Sequence, residues 1–203
     1  DSLNGNNVIT SIGAIHYLKQ DELDQNENYL KNKINKEKII SLIIGGPNKY
    51  YNYNDKSIGE IFTKIQKNFI DNGYQLIVIP SMRTPQKIIN KATNYFDKNQ
   101  VIINNVDKKA YLSSLKLADY IVVTCDSTSM ISEAAITGKP IYVAQMTPIK
   151  KNYRFEKFFN LFRSLNIIRN LESSVEKWNY EKLNETDKVS EHIKKKFKDY
   201  DFS

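Results

Sequence analysis

Cysteine is nearly absent: Cys125 stands alone in 203 residues, so no intrachain disulfide can form and no cysteine cluster can hold zinc. The expectation is a reducing compartment, and a bacterial-type cytoplasm fits it. Histidine is almost as scarce. His16 and His192 lie far apart with no flanking ligands, which gives no metal-binding spacing. With 7 glycines and 5 prolines, the chain is neither collagen-like nor low in complexity. No apolar run approaches the roughly 20 residues that a bilayer-spanning helix needs. The first residues lack the order of a secretory signal, and a start at Asp1 instead of Met reads as a processed or partial chain. Three fingerprints are missing too. Neither G-x-G-x-x-G nor G-x-x-x-x-G-K-[ST] occurs, which argues against nicotinamide dinucleotides and P-loop ATP hydrolysis. G-x-S-x-G, the serine-hydrolase elbow, is absent as well. No metal and no resident cofactor are expected.

What is present suffices for one good core: 40% of residues are hydrophobic and 26% charged. The 30 Lys and Arg outnumber the 23 Asp and Glu, which permits contact with phosphates or anionic lipid. No nucleic-acid recognition motif accompanies that charge, so a nucleic-acid partner is not expected. The run Lys194-Lys195-Lys196 with Lys198 reads as the solvated face of a helix; the alternative is peripheral contact with the inner face of a membrane.

From Lys38 onward, short β-branched runs alternate with amphipathic stretches, the pattern of stacked βα units. Ile39–Ile44, Gln75–Pro80, Val101–Ile103, Tyr120–Val123 and Pro140–Ala144 read as buried strands. Ile58, Ile61, Phe62, Ile65 and Phe69 mark a helix that Gly73 ends, and Pro85 opens another. Ala110–Leu117 and Ser129–Thr137 complete the sheet-covering helices, the latter closed by Gly138. Phe155, Phe158, Phe159 and Phe162 mark one more, and Val189, Ile193 and Phe197 a terminal one. The expected fold is α/β, a doubly wound Rossmann-like parallel sheet of five or six strands over 38–183. A leader or linker over 1–37 precedes it, with a β-like piece at Asn7–Ile12, and a C-terminal helix covers 184–203.

In such sheets ligands sit outside the carboxyl ends of the strands, which directs attention to three loops. They hold Gly45, Gly46 and Asn48 after the first strand, Ser81, Arg83 and Thr84 after the second, and Asp126, Ser127, Thr128 and Ser129 after the fourth. The glycine pair either lets backbone approach a ligand or makes a tight strand-exit turn. Arg83 carries a planar fork suited to a phosphate or carboxylate, and the hydroxyls of 127–129 cap a helix whose free N–H groups favour an anion. Glu133 is not explained by capping, because a capping box would need Ser or Thr at 130 and Met130 is there. Glu133 therefore points to the cleft or is a surface carboxylate near the helix start.

Together LIIGGPNKYY, IPSMRTP, ADYIVVTCDSTSMISEAAITGKPIYV and the leader Asn7-Val8-Ile9-Thr10 with Gly13-Ala14-Ile15-His16 resemble the ELM mitochondrial-fission family, whose bacterial members look like GT-B glycosyltransferases. More distantly, Ser132-Glu133-Ala134 followed by Gly138-Lys139-Pro140 is similar to the donor-site helix of the peptidoglycan N-acetylglucosaminyltransferase. That resemblance implies a nucleotide-diphosphate sugar as donor, Glu133 on the ribose hydroxyls, and Gly45, Gly46, Ser127, Thr128 and Ser129 around the diphosphate. Asp126 departs from it, since a carboxylate near a diphosphate must turn away, cap amides or pair with a cation such as Arg83. The resemblance also implies an N-terminal Rossmann-like domain, absent here, that carries the acceptor site and catalytic base. The expectation is a donor-binding half, inactive alone; the alternative is a non-catalytic scaffold using the loop of Tyr50, Tyr51 and Tyr53.

Overall fold

The computed structural model describes residues 5, 7–172 and 174–198, so the expected leader and terminal helix extend in part beyond the described residues. Six strands form one parallel sheet: β1 (Ile39–Ile44), β3 (Gln75–Pro80), β4 (Val101–Ile102), β5 (Tyr120–Thr124), β6 (Ile141–Ala144) and β8 (Ile168–Asn170). Every residue of β1, β3, β5 and β6 is buried, as a parallel strand covered on both faces requires. Two further strands, β2 (Tyr51–Asn52) and β7 (Thr147–Pro148), pair antiparallel as a separate ribbon.

The sheet order is β4-β3-β1-β5-β6-β8. The chain winds outward from β1 to β4, returns across the sheet to β5, and then winds the other way. Right-handed crossovers place helices of opposite winding direction on opposite faces. So α2 (Asp55–Asn68) and α3 (Gln86–Tyr95) share one face, while α4 (Lys108–Leu117), α5 (Thr128–Ala134) and α6 (Tyr153–Ser164) take the other. Each start is chemically marked. Asn54, Asp107, Ser127 and Asn152 accept N–H bonds from Ser57, Ala110, Met130 and Arg154. Gly73 and Gly138, at φ of 90° and 71°, end helical turns in the left-handed region that glycine enters without strain.

Four differences from the sequence reading have physical causes. The sixth strand, β8, is a three-residue edge strand, too short to show a period. Asn7–Ile12 forms no strand. Within the polar stretch read as linker, α1 (Gln20–Asn26) and a 3-10 turn at Glu27–Tyr29 pack against α4, and a second 3-10 turn at Lys31–Lys33 follows. There Leu23 and Leu30 are buried, worth about 1.5–3 kcal/mol each against exposure; two leucines among many charges give no visible helical stripe. Finally, α7 (Glu185–Lys198) leaves Ile193 and Phe197 exposed, so its apolar stripe is not buried in this chain. Among the described residues no helix is long and apolar enough to cross a membrane.

Burial also sets the alkaline limit of stability. Desolvation by burial, before any neighbouring group, lifts the hydroxyls of Tyr51, Tyr53, Tyr111 and Tyr180 above the usual phenol range, Tyr120 to about 12 and the Cys125 thiol to about 11. These groups stay protonated in the fold while the unfolded chain ionises, so their contribution is complete below pH about 9–10 and is lost as pH rises beyond it. Each fully buried group removes up to about 1.4 kcal/mol per pH unit in that window. The urea midpoint is expected to be level to about pH 9 and to fall steeply above pH 10; an unchanged midpoint at alkaline pH would refute this.

Candidate functional site

The sheet order reverses at β1 and β5, which pair directly, and cofactor and substrate clefts of open α/β sheets form outside the strand ends at such a reversal. The three loops picked from sequence meet there. Their central feature is Asp126, whose side chain is fully buried. Its Oδ2 accepts from Gly46 N at 3.1 Å and from Arg83 Nη2 at 2.7 Å. Its Oδ1 accepts from the Thr124 hydroxyl at 2.7 Å and from the Tyr53 hydroxyl. Arg83 Nη1 donates to the Gly46 carbonyl at 2.8 Å, so the fork bridges two loops of the protein itself.

The remaining loop residues stitch the same knot. Asn48 Nδ2 donates to the Asp126 carbonyl, and its Oδ1 accepts from Tyr50 and Tyr51 N–H. The Thr84 hydroxyl lies within hydrogen-bond reach of the Ile44 and Gly45 carbonyls and accepts from Ser81 N–H. A Cβ on Gly45 would collide with the Asp126 carboxylate, and one on Gly46 with the Arg83 carbonyl oxygen. The two absent side chains are thus accounted for by the knot. Asp126 is oriented away from solvent, capping an amide and paired with Arg83, so its charge is compensated within the fold.

Around this knot the first turn of α5 faces three clefts. Ser127 and Glu133 line a cavity of about 390 Å³ with Ser81, Arg83, Met82, Val106, Lys108 and Tyr111. Thr128 lines a second, of about 410 Å³, with Lys49, Tyr50, Asn152 and Arg154. Ser129 lines a third, of about 420 Å³, with His16, Tyr17 and again Tyr111 and Glu133. Consecutive residues of a helix start at about 100° intervals, which is why three neighbours serve three clefts.

Glu133 is held by one bond: the Tyr111 hydroxyl donates to its Oε2 at 2.6 Å. Burial and then the Glu133 charge push the Tyr111 hydroxyl well above the phenol range, so it is a permanent donor. Met82 and Val106, 90% and 57% exposed, offer apolar surface at the mouth. Sequence reasoning missed Tyr111, Met82 and Val106, and read Tyr53 as part of a scaffold surface, where it is instead buried against Asp126. Tyr111 carried a signal, a tyrosine on the helix preceding β5, but its partner 22 residues away did not show. Cys125 is buried, its thiol raised as above, and so not a nucleophile. Among the described residues no group of three or more potential ligands could hold a metal ion.

The architecture defines a class: a Rossmann-like α/β domain with an open cleft at its topological switch point. More particularly, the chain belongs to the family described as Mitochondrial fission ELM1, whose model matches residues 1–197. It is 29% identical over 197 residues to the uncharacterized protein RP120 of Rickettsia prowazekii (strain Madrid E), covering 93% of this chain and 53% of that one. It is 25% identical over 195 residues to the mitochondrial fission protein ELM1 of Arabidopsis thaliana, covering 93% and 45%. The chain therefore spans about half the length of these curated relatives. Among solved structures it is similar to a UDP-GlcNAc 2-epimerase from Neisseria meningitidis bound to UDP-GlcNAc (TM-score 0.47, 12% identity, 86% and 41% covered). It is also similar to a UDP-N-acetylglucosamine 2-epimerase from Listeria monocytogenes (0.48, 14%, 87% and 52%).

Proposed function

We propose that this chain is the donor-binding half of a nucleotide-diphosphate-sugar protein of GT-B type, its activity depending on a further domain. The observation that carries the reading is Glu133, a carboxylate oriented by Tyr111 at the wall of a cavity large enough for a nucleoside. In this reading the ribose hydroxyls donate to Glu133, and the base lies against Met82 and Val106. The diphosphate crosses the first turn of α5 at Ser127, Thr128 and Ser129, above the loop of Gly45, Gly46 and Asn48. The knot of Arg83, Asp126, Ser81 and Thr84 holds that loop in place. The sugar nucleotide enters as a substrate.

Calorimetric titration with UDP, GDP, CMP and ADP and their sugar conjugates tests this. One nucleotide is expected to bind, and Glu133→Ala to weaken it by about 1–3 kcal/mol, the worth of hydrogen bonds to a charged group. Equal affinity in the variant removes Glu133 from the site. One observation favours a second reading, a non-catalytic scaffold: Arg83 already spends an N–H of each terminal nitrogen on Gly46 and Asp126, which ties the loops together without a ligand. That reading expects no nucleotide to bind, including in the longer protein.

A further inference from the structure

The cleft that faces Thr128 is unlike the other two. Lys49 and Arg154 stand on its walls with the Asn152 amide and the Thr128 hydroxyl, between the rings of Tyr50, Phe155 and Phe158. The β2/β7 ribbon builds one side: Tyr51 pairs with Pro148, and Ile149 N–H donates to the Tyr50 carbonyl at 2.7 Å. Helix α6 builds the other, and Phe155 joins them with ring centroids 5.7 Å from Tyr50 and 5.6 Å from Tyr51. The platform is thus packed and hydrogen-bonded, not a loose loop.

Its outer rim combines two features that soluble surfaces keep apart. Ile149 is 60% and Tyr153 78% exposed. Around them lie Lys49, Lys150, Lys151, Arg154 and Lys157, all exposed. Among the described residues none of these five makes a salt bridge. Lys49 and Lys150 instead lie over the Tyr50 ring at 5.1 and 5.5 Å. Glu156 is the one carboxylate between residues 147 and 157. Unpaired cations ringing an exposed aliphatic and an amphipathic aromatic match a bilayer interface, where apolar groups enter the headgroup layer and cations meet anionic lipid.

We infer that the β7–α6 face docks on an anionic phospholipid surface, one lipid phosphate lying between Lys49 and Arg154 and Ile149 and Tyr153 entering the headgroup layer. The charge complementarity commits the occupant to a bilayer. This surface is distinct from the lysines of α7 and from the Glu133 cavity, although its cleft shares Thr128 with the proposed diphosphate path.

Co-sedimentation of the whole chain with phosphatidylcholine vesicles, with and without phosphatidylglycerol, tests the inference. Binding is expected only with the anionic lipid. The triple variant K150E/K151E/R154E is expected to lose at least about 100-fold in partition, at roughly fivefold per cation. I149S/Y153S, which keeps every charge, is expected to lose about tenfold, the worth of two interfacial side chains. K194E/K195E on α7 should bind as the parent does. Circular dichroism on each variant separates loss of the surface from loss of the fold. Undiminished binding by the folded triple variant, or none by the parent, overturns the inference. Binding abolished by excess glycerol phosphate also overturns it, because the cleft would then take soluble phosphates.

Discussion

Replacing Asp126 with Ala is expected to be the most damaging single change outside the apolar core. The carboxylate accepts from Gly46 N–H, Arg83, Thr124 and Tyr53, so its removal strands the buried Gly46 N–H and Thr124 hydroxyl, while Tyr53 keeps Thr124 Oγ1 and Arg83 keeps the Gly46 carbonyl. Breaking a buried ion pair from one side typically costs about 3–5 kcal/mol. Here the cation keeps 43% of its side-chain surface exposed, so solvent recovers part of the loss and the lower end applies, about 3 kcal/mol. Urea unfolding measures it directly. The diagnostic comparison is Arg83→Ala, which leaves the buried carboxylate with its three other donors and is expected to cost less. A double-mutant cycle should return coupling on the order of 1 kcal/mol or more between the two. If Asp126→Ala unfolds at the parent's urea midpoint, Asp126 is not the element that ties the three strand-exit loops together.

Gly46→Ala is expected to follow closely, at about 3 kcal/mol, the upper end for forcing extra volume into a packed region. The methyl would fall on the Arg83 backbone carbonyl, which cannot swing aside as a side-chain tip can. The same substitution at Gly59 has the opposite sign. Gly59 lies within α2 and a Cβ there meets nothing within 4 Å, so alanine should stabilise by about 0.5–1 kcal/mol through helix propensity. Thermal unfolding of both variants without ligand distinguishes two meanings of the glycine pair. A large loss at Gly46 in ligand-free protein attributes the missing side chain to the Arg83 contact. No loss would return the glycine to the role of admitting a ligand.

Both predictions concern residues that stood out in the sequence for another reason. Arg83 was singled out as an anion-binding fork, and the fold itself draws one N–H of each terminal nitrogen to Gly46 and Asp126 while 43% of the side chain stays exposed. Asp126 was a departure from the donor-site pattern and turns out to be the acceptor that balances it. A strand-exit position says that a side chain can reach the cleft; it does not say whether the fold itself takes the side chain first. Glu133 is the converse case. Its sequence argument was negative, that no capping box explains it, and the structure supplies a partner, Tyr111, from a different helix.

The sequence by itself determined the βα alternation, the helix start capped by the hydroxyls of 127–129, the opening of a helix at Pro85, and the ends at Gly73 and Gly138. These are local: burial on both faces writes a continuous apolar run, and caps and left-handed turns depend on one or two residues. It also placed the candidate loops on one edge, because parallel strands all exit in the same direction. Only the tertiary structure decided that the polar leader contributes Leu23 and Leu30 to the core, that β8 closes the sheet, and that, of the fates open to Asp126, pairing with Arg83, 43 residues away, and capping the Gly46 amide hold together. It alone turned three successive residues of α5 toward three different clefts. Such pairings are set by which strands lie side by side and how closely their loops approach, a geometry that no periodicity along the chain records.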